Sequence, residues 1–144
     1  ASSLQESARL WRIRECAGEV IGRLAPAATY DISLPLGSME GFVESLRRNS
    51  ERLRADRPFL VFGHLGDGNL HLLVALRSAE DGEALDAMVY GALAGSGSMS
   101  AEHGVGTCKR PWLSVTRSAA EIAVMRSLKE RLDPRRILNP GRVI

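Results

Sequence analysis

Cysteine is scarce: Cys16 and Cys108 are the only two. They lie far apart and in no paired motif, so neither a disulfide framework nor a cysteine-ligated zinc site is indicated, and both read as reduced packing residues. No apolar run approaches the ~20 residues of a membrane span. The chain also does not open with the charged, apolar and small-residue blocks of a signal peptide, so it reads as cytoplasmic. Charge of one sign is missing as well. The net charge is +2, and the 19 Lys and Arg are spread out in short local groups such as Arg47-Arg48 and Arg135-Arg136, which fits a solvated surface rather than a nucleic-acid footprint. There is no internal repeat, no low-complexity segment and no phosphate-binding P-loop. Gly104-Val105-Gly106 lacks the third glycine and the strand-turn-helix setting of a dinucleotide fingerprint. What remains, 144 residues with 44% apolar and 25% charged side chains, is one ordinary soluble domain with enough apolar residues for a core. The first residue is not Met and a helix begins almost at once, which points to a piece of a longer polypeptide.

Residues 4 to 24 have helical periodicity, with Leu10, Ile13, Ala17, Val20, Ile21 and Leu24 on one stripe. Arg14 lies at the edge of that stripe, either snorkelling over core surface or holding an anion in a pocket. Residues 24 to 29 read as a loop and 31 to 36 as a short strand ended by Pro35 and Gly37. A helix follows from Ser38, with Met39, Phe42, Val43 and Leu46 on one side and an exit at Arg57 and Pro58. Residues 59 to 64 and 69 to 76 form two apolar runs around Leu65-Gly66-Asp67-Gly68, a hairpin signal. Ser78 and Asp81 cap a helix over 79 to 94, and residues 98 to 102 are a candidate last strand. The order strand, helix, strand, strand, helix, strand predicts an α+β fold, a ferredoxin-like antiparallel sheet covered on both faces by helices. Residues 1–30 are then a leading helix and loop, 31–104 the ferredoxin-like unit, and 105–144 a helical tail with a short helix near Lys109 to Val115. A longer tail helix is boxed by Ser118 and Glu121 and carries Ile122, Met125 and Leu128.

The three histidines sit in two short stretches, GHLGDGNLH over 63–71 and SAEHGVG over 100–106. If Asp67 and Gly68 are the central turn residues, His64 pairs directly with His71. Opposed side chains on one face have Cβ atoms ~5 Å apart, so both imidazoles can reach one cation. A stacked, hydrogen-bonded pair that merely holds the hairpin is the other reading. A cation needs a third ligand, and Glu102 supplies a His, His, carboxylate set that leaves positions open for substrate or water. His103 points away from Glu102 unless the chain turns, which Gly104 permits. It would then stand near the cation without binding it, where a general base stands.

LWRIRE, DISLP, GHLGDGNLH, SAEHGVG followed by Lys109, and LDPRRILNPGRV occur in that order from residue 10 to residue 143. Together they resemble the C-terminal part of FAD-linked oxidases of the D-2-hydroxy acid dehydrogenase type, the group of the D-lactate, glycolate and D-2-hydroxyglutarate dehydrogenases. The resemblance implies an upstream domain of the same polypeptide that carries FAD, with this part capping it and supplying the substrate site. It implies His64, His71 and Glu102 as ligands of a divalent metal, zinc first and manganese or iron as alternatives, and His103 as the base. Arg14 would pair with the substrate carboxylate, Thr29 and Lys109 would lie on the substrate side, and Asn139 would stand near the flavin.

The implied reaction is oxidation of a small 2-hydroxy acid, with the hydroxyl acidified, its proton taken by His103, and hydride passed to flavin. Members resembling hydroxyglutarate dehydrogenases carry lysine where this chain has Thr29, and often asparagine where it has Leu73, so a second carboxylate on the substrate loses a partner. The electron acceptor is not specified, and a homodimer is left open. Two other function classes use the same residues: a metal-dependent hydrolase, and a non-catalytic ferredoxin-like binding module whose histidines are structural.

Overall fold

The computed structural model describes residues 2–54, 58–142 and 144. Arg57, expected at a helix exit, and Val143, the last residue of the family-like tail, lie outside them. The elements are α1 (Leu4–Glu15), α2 (Ala17–Arg23), β1 (Ala27–Ser33), α3 (Leu36–Arg54), β2 (Phe59–His64), β3 (Asn69–Ala75), α4 (Ala79–Gly91), α5 (Leu113–Thr116) and α6 (Ala119–Leu132). Single 3-10 turns lie at Leu65–Asp67 and Arg110–Trp112.

The sheet is antiparallel with the order β1-β3-β2. Ser33 N–H and C=O bond Ser98 on the side of β1 away from β3. The expected α+β, ferredoxin-like order is therefore present, but its fourth strand is a single bridge at Ser98 rather than a strand over 98–102. The chain abandons the ladder because the N–H groups of Ala101, Glu102 and His103 turn instead to the carboxylate of Asp31.

Strand alternation divides the two faces of the sheet. Tyr30 and Ile32 of β1 and Leu70, Leu72 and Val74 of β3 join Met39 and Leu46 of α3 and Leu85 and Val89 of α4 in one buried cluster. The opposite face carries Thr29 paired with Leu73, Asp31 with His71, and His71 with Phe62. Every residue of β3 is buried, as expected of a central strand covered on both sides, whereas Leu60 on the edge strand β2 is partly exposed.

Several local expectations are corrected. The leading helix breaks at Cys16, and its stripe is not a core stripe: α1 has no buried residue and Leu10 and Ile13 are exposed. β1 starts at Ala27, inside the segment read as a loop, and α3 starts at Leu36, ahead of Ser38. Both cysteines are exposed rather than packed. Ser78 and Ser118 do form capping boxes with Asp81 and Glu121. On α6, Ile122 and Met125 pack against the core, while Leu128 is exposed.

The hairpin turn differs from the expected two-residue type. Leu65–Asp67 make a 3-10 turn closed by Gly68 at φ 65°, and a Cβ on Gly68 would lie 2.4 Å from the Leu34 carbonyl oxygen. Gly68→Ala therefore combines a left-handed backbone with a collision against main chain, and we expect a loss of at least ~1–2 kcal/mol in urea unfolding. An unchanged unfolding midpoint would refute that reading of the turn.

Candidate active site

The turn shifts the ladder. Phe62 faces His71 and His64 faces Asn69, so the two histidines are not directly opposed as expected. His64 lies two residues beyond Phe62 and therefore on the same face, and its ring meets that of His71 diagonally, edge-on with centroids 5.5 Å apart. The expected proximity holds with a different register.

Glu102 and His103 reach the hairpin from the bend after Ser98. Glu102 Oε1 lies 3.0 Å from His71 Nε2, 3.4 Å from His103 Nε2 and 3.6 Å from His64 Nε2. Three imidazole nitrogens thus converge on one carboxylate oxygen. His103 stacks on His71 at 5.3 Å and 20°. The turn that Gly104 was expected to permit is made, with Gly104 at φ 75°, and it brings both neighbours to one side.

Arg14, near the end of α1, sits 5.2 Å over the Phe62 ring, and its Nη2 is 3.4 Å from His64 Nε2. A guanidinium can only donate, so this contact is a hydrogen bond only in the tautomer that leaves the lone pair on His64 Nε2.

Asp31 was not singled out from the sequence. It is almost wholly buried, its Oδ2 accepts from the amides of Ala101, Glu102 and His103 at 3.1, 2.9 and 2.8 Å, and its Oδ1 accepts from Asn69 Nδ2 at 3.3 Å. Burial pushes its carboxyl up, but the amides of His103 and Glu102 and the nearby Lys109 outweigh it and hold the group below the usual carboxylate range. Burial likewise pushes the His71 imidazole below its ordinary value, against the pull of Asp31 and Glu102, which favours the neutral ring that can ligate. The available signal was an acid between Tyr30 and Ile32 in a strand, where a carboxylate stays ionised only with several donors.

Lys109 is mostly buried, 3.8 Å from Asp31 Oδ2 and donating to Ser100 Oγ at 3.2 Å. Burial lowers its pKa, partly opposed by Asp31. Its ammonium therefore braces the same bend besides facing the cavity.

A cavity of about 830 Å³ gathers six of the eight residues picked out from the sequence: Arg14, Thr29, His71, Glu102, His103 and Lys109. His64 opens with Arg14 and Trp11 onto a smaller adjoining hollow. Asn139 is not brought to the cavity; it sits in the tail at φ 46°, its carbonyl accepting from the N–H of Arg142, which does line the cavity. A further arm of the cavity, missed in the sequence, carries Asp86 and Tyr90 of α4. Asp86 accepts from the Tyr30 hydroxyl at 2.9 Å, and burial pushes its carboxyl up.

The donors suit a divalent cation. Ligand atoms held tetrahedrally at ~2.0–2.1 Å from a zinc ion are ~3.3 Å from one another. The Glu102 oxygen is 3.0 and 3.6 Å from the two hairpin histidines, which brackets that spacing, and His64, His71 and Glu102 offer donor atoms that all lie within 4.8 Å of each other.

The family model for the C-terminal domain of FAD linked oxidases matches residues 1–143. Among curated proteins, a D-2-hydroxyglutarate dehydrogenase of Xanthomonas citri pv. viticola is 40% identical over 96% of this chain and 31% of its own length. One from Stutzerimonas stutzeri is 35% identical over 99% of this chain and 32% of its own. A mitochondrial D-2-hydroxyglutarate dehydrogenase of Bos taurus is 40% identical over 94% of this chain and 25% of its own. The chain spans about a quarter to a third of the length of these relatives.

Proposed function

The chain belongs to the family of FAD-linked oxidase C-terminal domains, and on that premise we propose that it is the substrate- and metal-binding portion of a flavoenzyme that oxidises a D-2-hydroxy acid to a 2-oxo acid. The observation that carries this reading is the convergence of three imidazoles on Glu102 at the wall of a cavity that also holds the Arg14 guanidinium. An FAD domain upstream in the same polypeptide supplies the flavin, which serves as hydride acceptor when bound. A divalent cation, zinc before manganese or iron, would be held by His64, His71 and Glu102 and would acidify a hydroxyl beside it.

This chain's own residues do the rest. Arg14 fixes the substrate carboxylate by a paired contact, which sets the orientation of the α-carbon. His103, with an exposed ring stacked on His71, takes the hydroxyl proton on a ring nitrogen. Lys109 adds positive charge on the substrate side, and Asn139 is assigned to the flavin-facing tail. Thr29 and Leu73 are ladder partners on the cavity face, so that wall offers a hydroxyl and an aliphatic surface in place of a cation. An uncharged substrate side chain suits it better than a second carboxylate.

The test is anaerobic mixing of the natural-length flavoprotein with D-lactate, D-2-hydroxybutyrate, glycolate, D-2-hydroxyglutarate and the L-enantiomers. Flavin bleaching is expected with the D-acids and at least ~10-fold faster with D-2-hydroxybutyrate than with D-2-hydroxyglutarate, the scale of one lost charged contact. No bleaching with any of them would overturn the function. A preference for the dicarboxylate would overturn the reading of Thr29 and Leu73.

A further inference from the structure

We propose that Asp31 is a positioning residue that assembles the site: one carboxylate sets both the loop carrying Glu102 and His103 and the ring of His71. The inference rests on the function proposed above for those three residues. Its basis is the number and direction of bonds. Oδ2 collects three consecutive backbone N–H groups, from Ala101, Glu102 and His103, within 2.8–3.1 Å. A continuing fourth strand would have aimed only alternate N–H groups at β1, whereas here three consecutive ones turn to a single oxygen and the sheet records only the bridge at Ser98. The bend and the reach of both side chains toward the hairpin therefore depend on a carboxylate at this one place. Lys109 flanks the same oxygen at 3.8 Å.

The other oxygen faces His71. His71 Nδ1 lies 3.8 Å from Asp31 Oδ1, while its Nε2 lies 3.0 Å from Glu102. At that distance the carboxylate acts through its charge, which favours a proton on Nδ1 and leaves the lone pair of the other nitrogen for a cation. Donor atoms of Asp31, His71 and His103 also lie within 4.8 Å of one another. Asp31 does not serve as a ligand itself. Three amides crowd Oδ2, and Oδ1 is shared between the Asn69 side chain and the side facing His71 Nδ1. It also explains why an ionised acid is kept within the sheet: it holds together elements 70 or more residues apart in the chain.

Asp31→Ala and Asp31→Asn in the natural-length protein separate this role from general stability. In Asp31→Ala, hydrogen exchange of a peptide covering residues 98–106 should quicken by at least ~10-fold, from loss of the shared acceptor, with core peptides of β3 and α4 unchanged. Zinc affinity and kcat should each fall ~10–100-fold, the range for outer partners of metal-binding histidines. Asp31→Asn keeps an acceptor but loses the charge, so it should fall between the two. It also serves as the folded test should the alanine variant not fold. Unchanged exchange in 98–106 would overturn the proposal. Faster exchange with zinc affinity and kcat intact would also overturn it, leaving Asp31 a structural residue only. Should the wild-type protein oxidise no 2-hydroxy acid, the proposed function falls, yet the exchange measurement still decides whether Asp31 holds the bend.

Discussion

His71→Ala is expected to abolish stoichiometric zinc binding, read by elemental mass spectrometry on protein purified without chelator or histidine tag and dialysed against trace zinc. Wild type should carry close to one zinc per chain. His71 is the buried member of the donor set, at 9% side-chain exposure against 44% for His64 and 46% for Glu102, and is the most tightly held. Central β3, Asp31 and Phe62 fix its ring. Removing it leaves two half-exposed donors, which hold a divalent ion far more weakly than three. A ligand that binds only the folded chain raises its stability with concentration, so added zinc should lift the melting temperature of wild type and leave the variant unmoved. His64→Ala should show the same loss in milder form. Wild-type chain without metal, and without a melting shift in excess zinc, would sink the metal assignment and leave the imidazoles as a hydrogen-bonded cluster.

The second large effect belongs to His103. In the natural-length flavoprotein, His103→Ala should lower kcat by ~10²–10⁴, the usual contribution of a positioned base. Flavin content and zinc content should stay at wild-type levels. The expected separation follows from geometry. The His103 side chain is 64% exposed, and its ring meets the protein through stacking on His71 and proximity to Glu102, so its removal disturbs little else. Added imidazole should restore part of the rate by diffusing into the vacated space. Turnover equal to wild type would exclude His103 as the base, and a parallel loss of zinc would recast it as a ligand.

Much of this arrangement was legible in the sequence because local chemistry marks it. Two capping boxes, an apolar hairpin and the clustering of histidines beside glycines each have a short-range cause. The errors come from long-range causes. The two-residue shift in pairing, which keeps both histidines on one face, arose because a 3-10 turn and Asp-Gly in a two-residue turn share the same residues, and packing of Gly68 against Leu34 selects the former. The last strand was over-read because nothing near Ser98 announces that Asp31, some seventy residues earlier, will take the next amides. Asp31 itself was passed over because a strand acid becomes informative only when its donors are known. The stripe over residues 4–24 is real as a pattern, yet Leu10 and Ile13 are exposed and the helix breaks at Cys16, so periodicity marked the helical residues but neither the break nor a partner.

The diagonal placement of His64 and His71 has a consequence for how the chain matures. Side chains alternate along a strand, so slipping β3 by one residue would turn His71 into the apolar cluster and bring Leu70 or Leu72 to the cavity face. A mispaired hairpin would thus scatter the two imidazoles and the Glu102 carboxylate at the same moment that it lost its fold. Under the proposed metal assignment, a cation that binds only the folded chain would favour correctly paired molecules, so the donor set would also select the register of its own sheet.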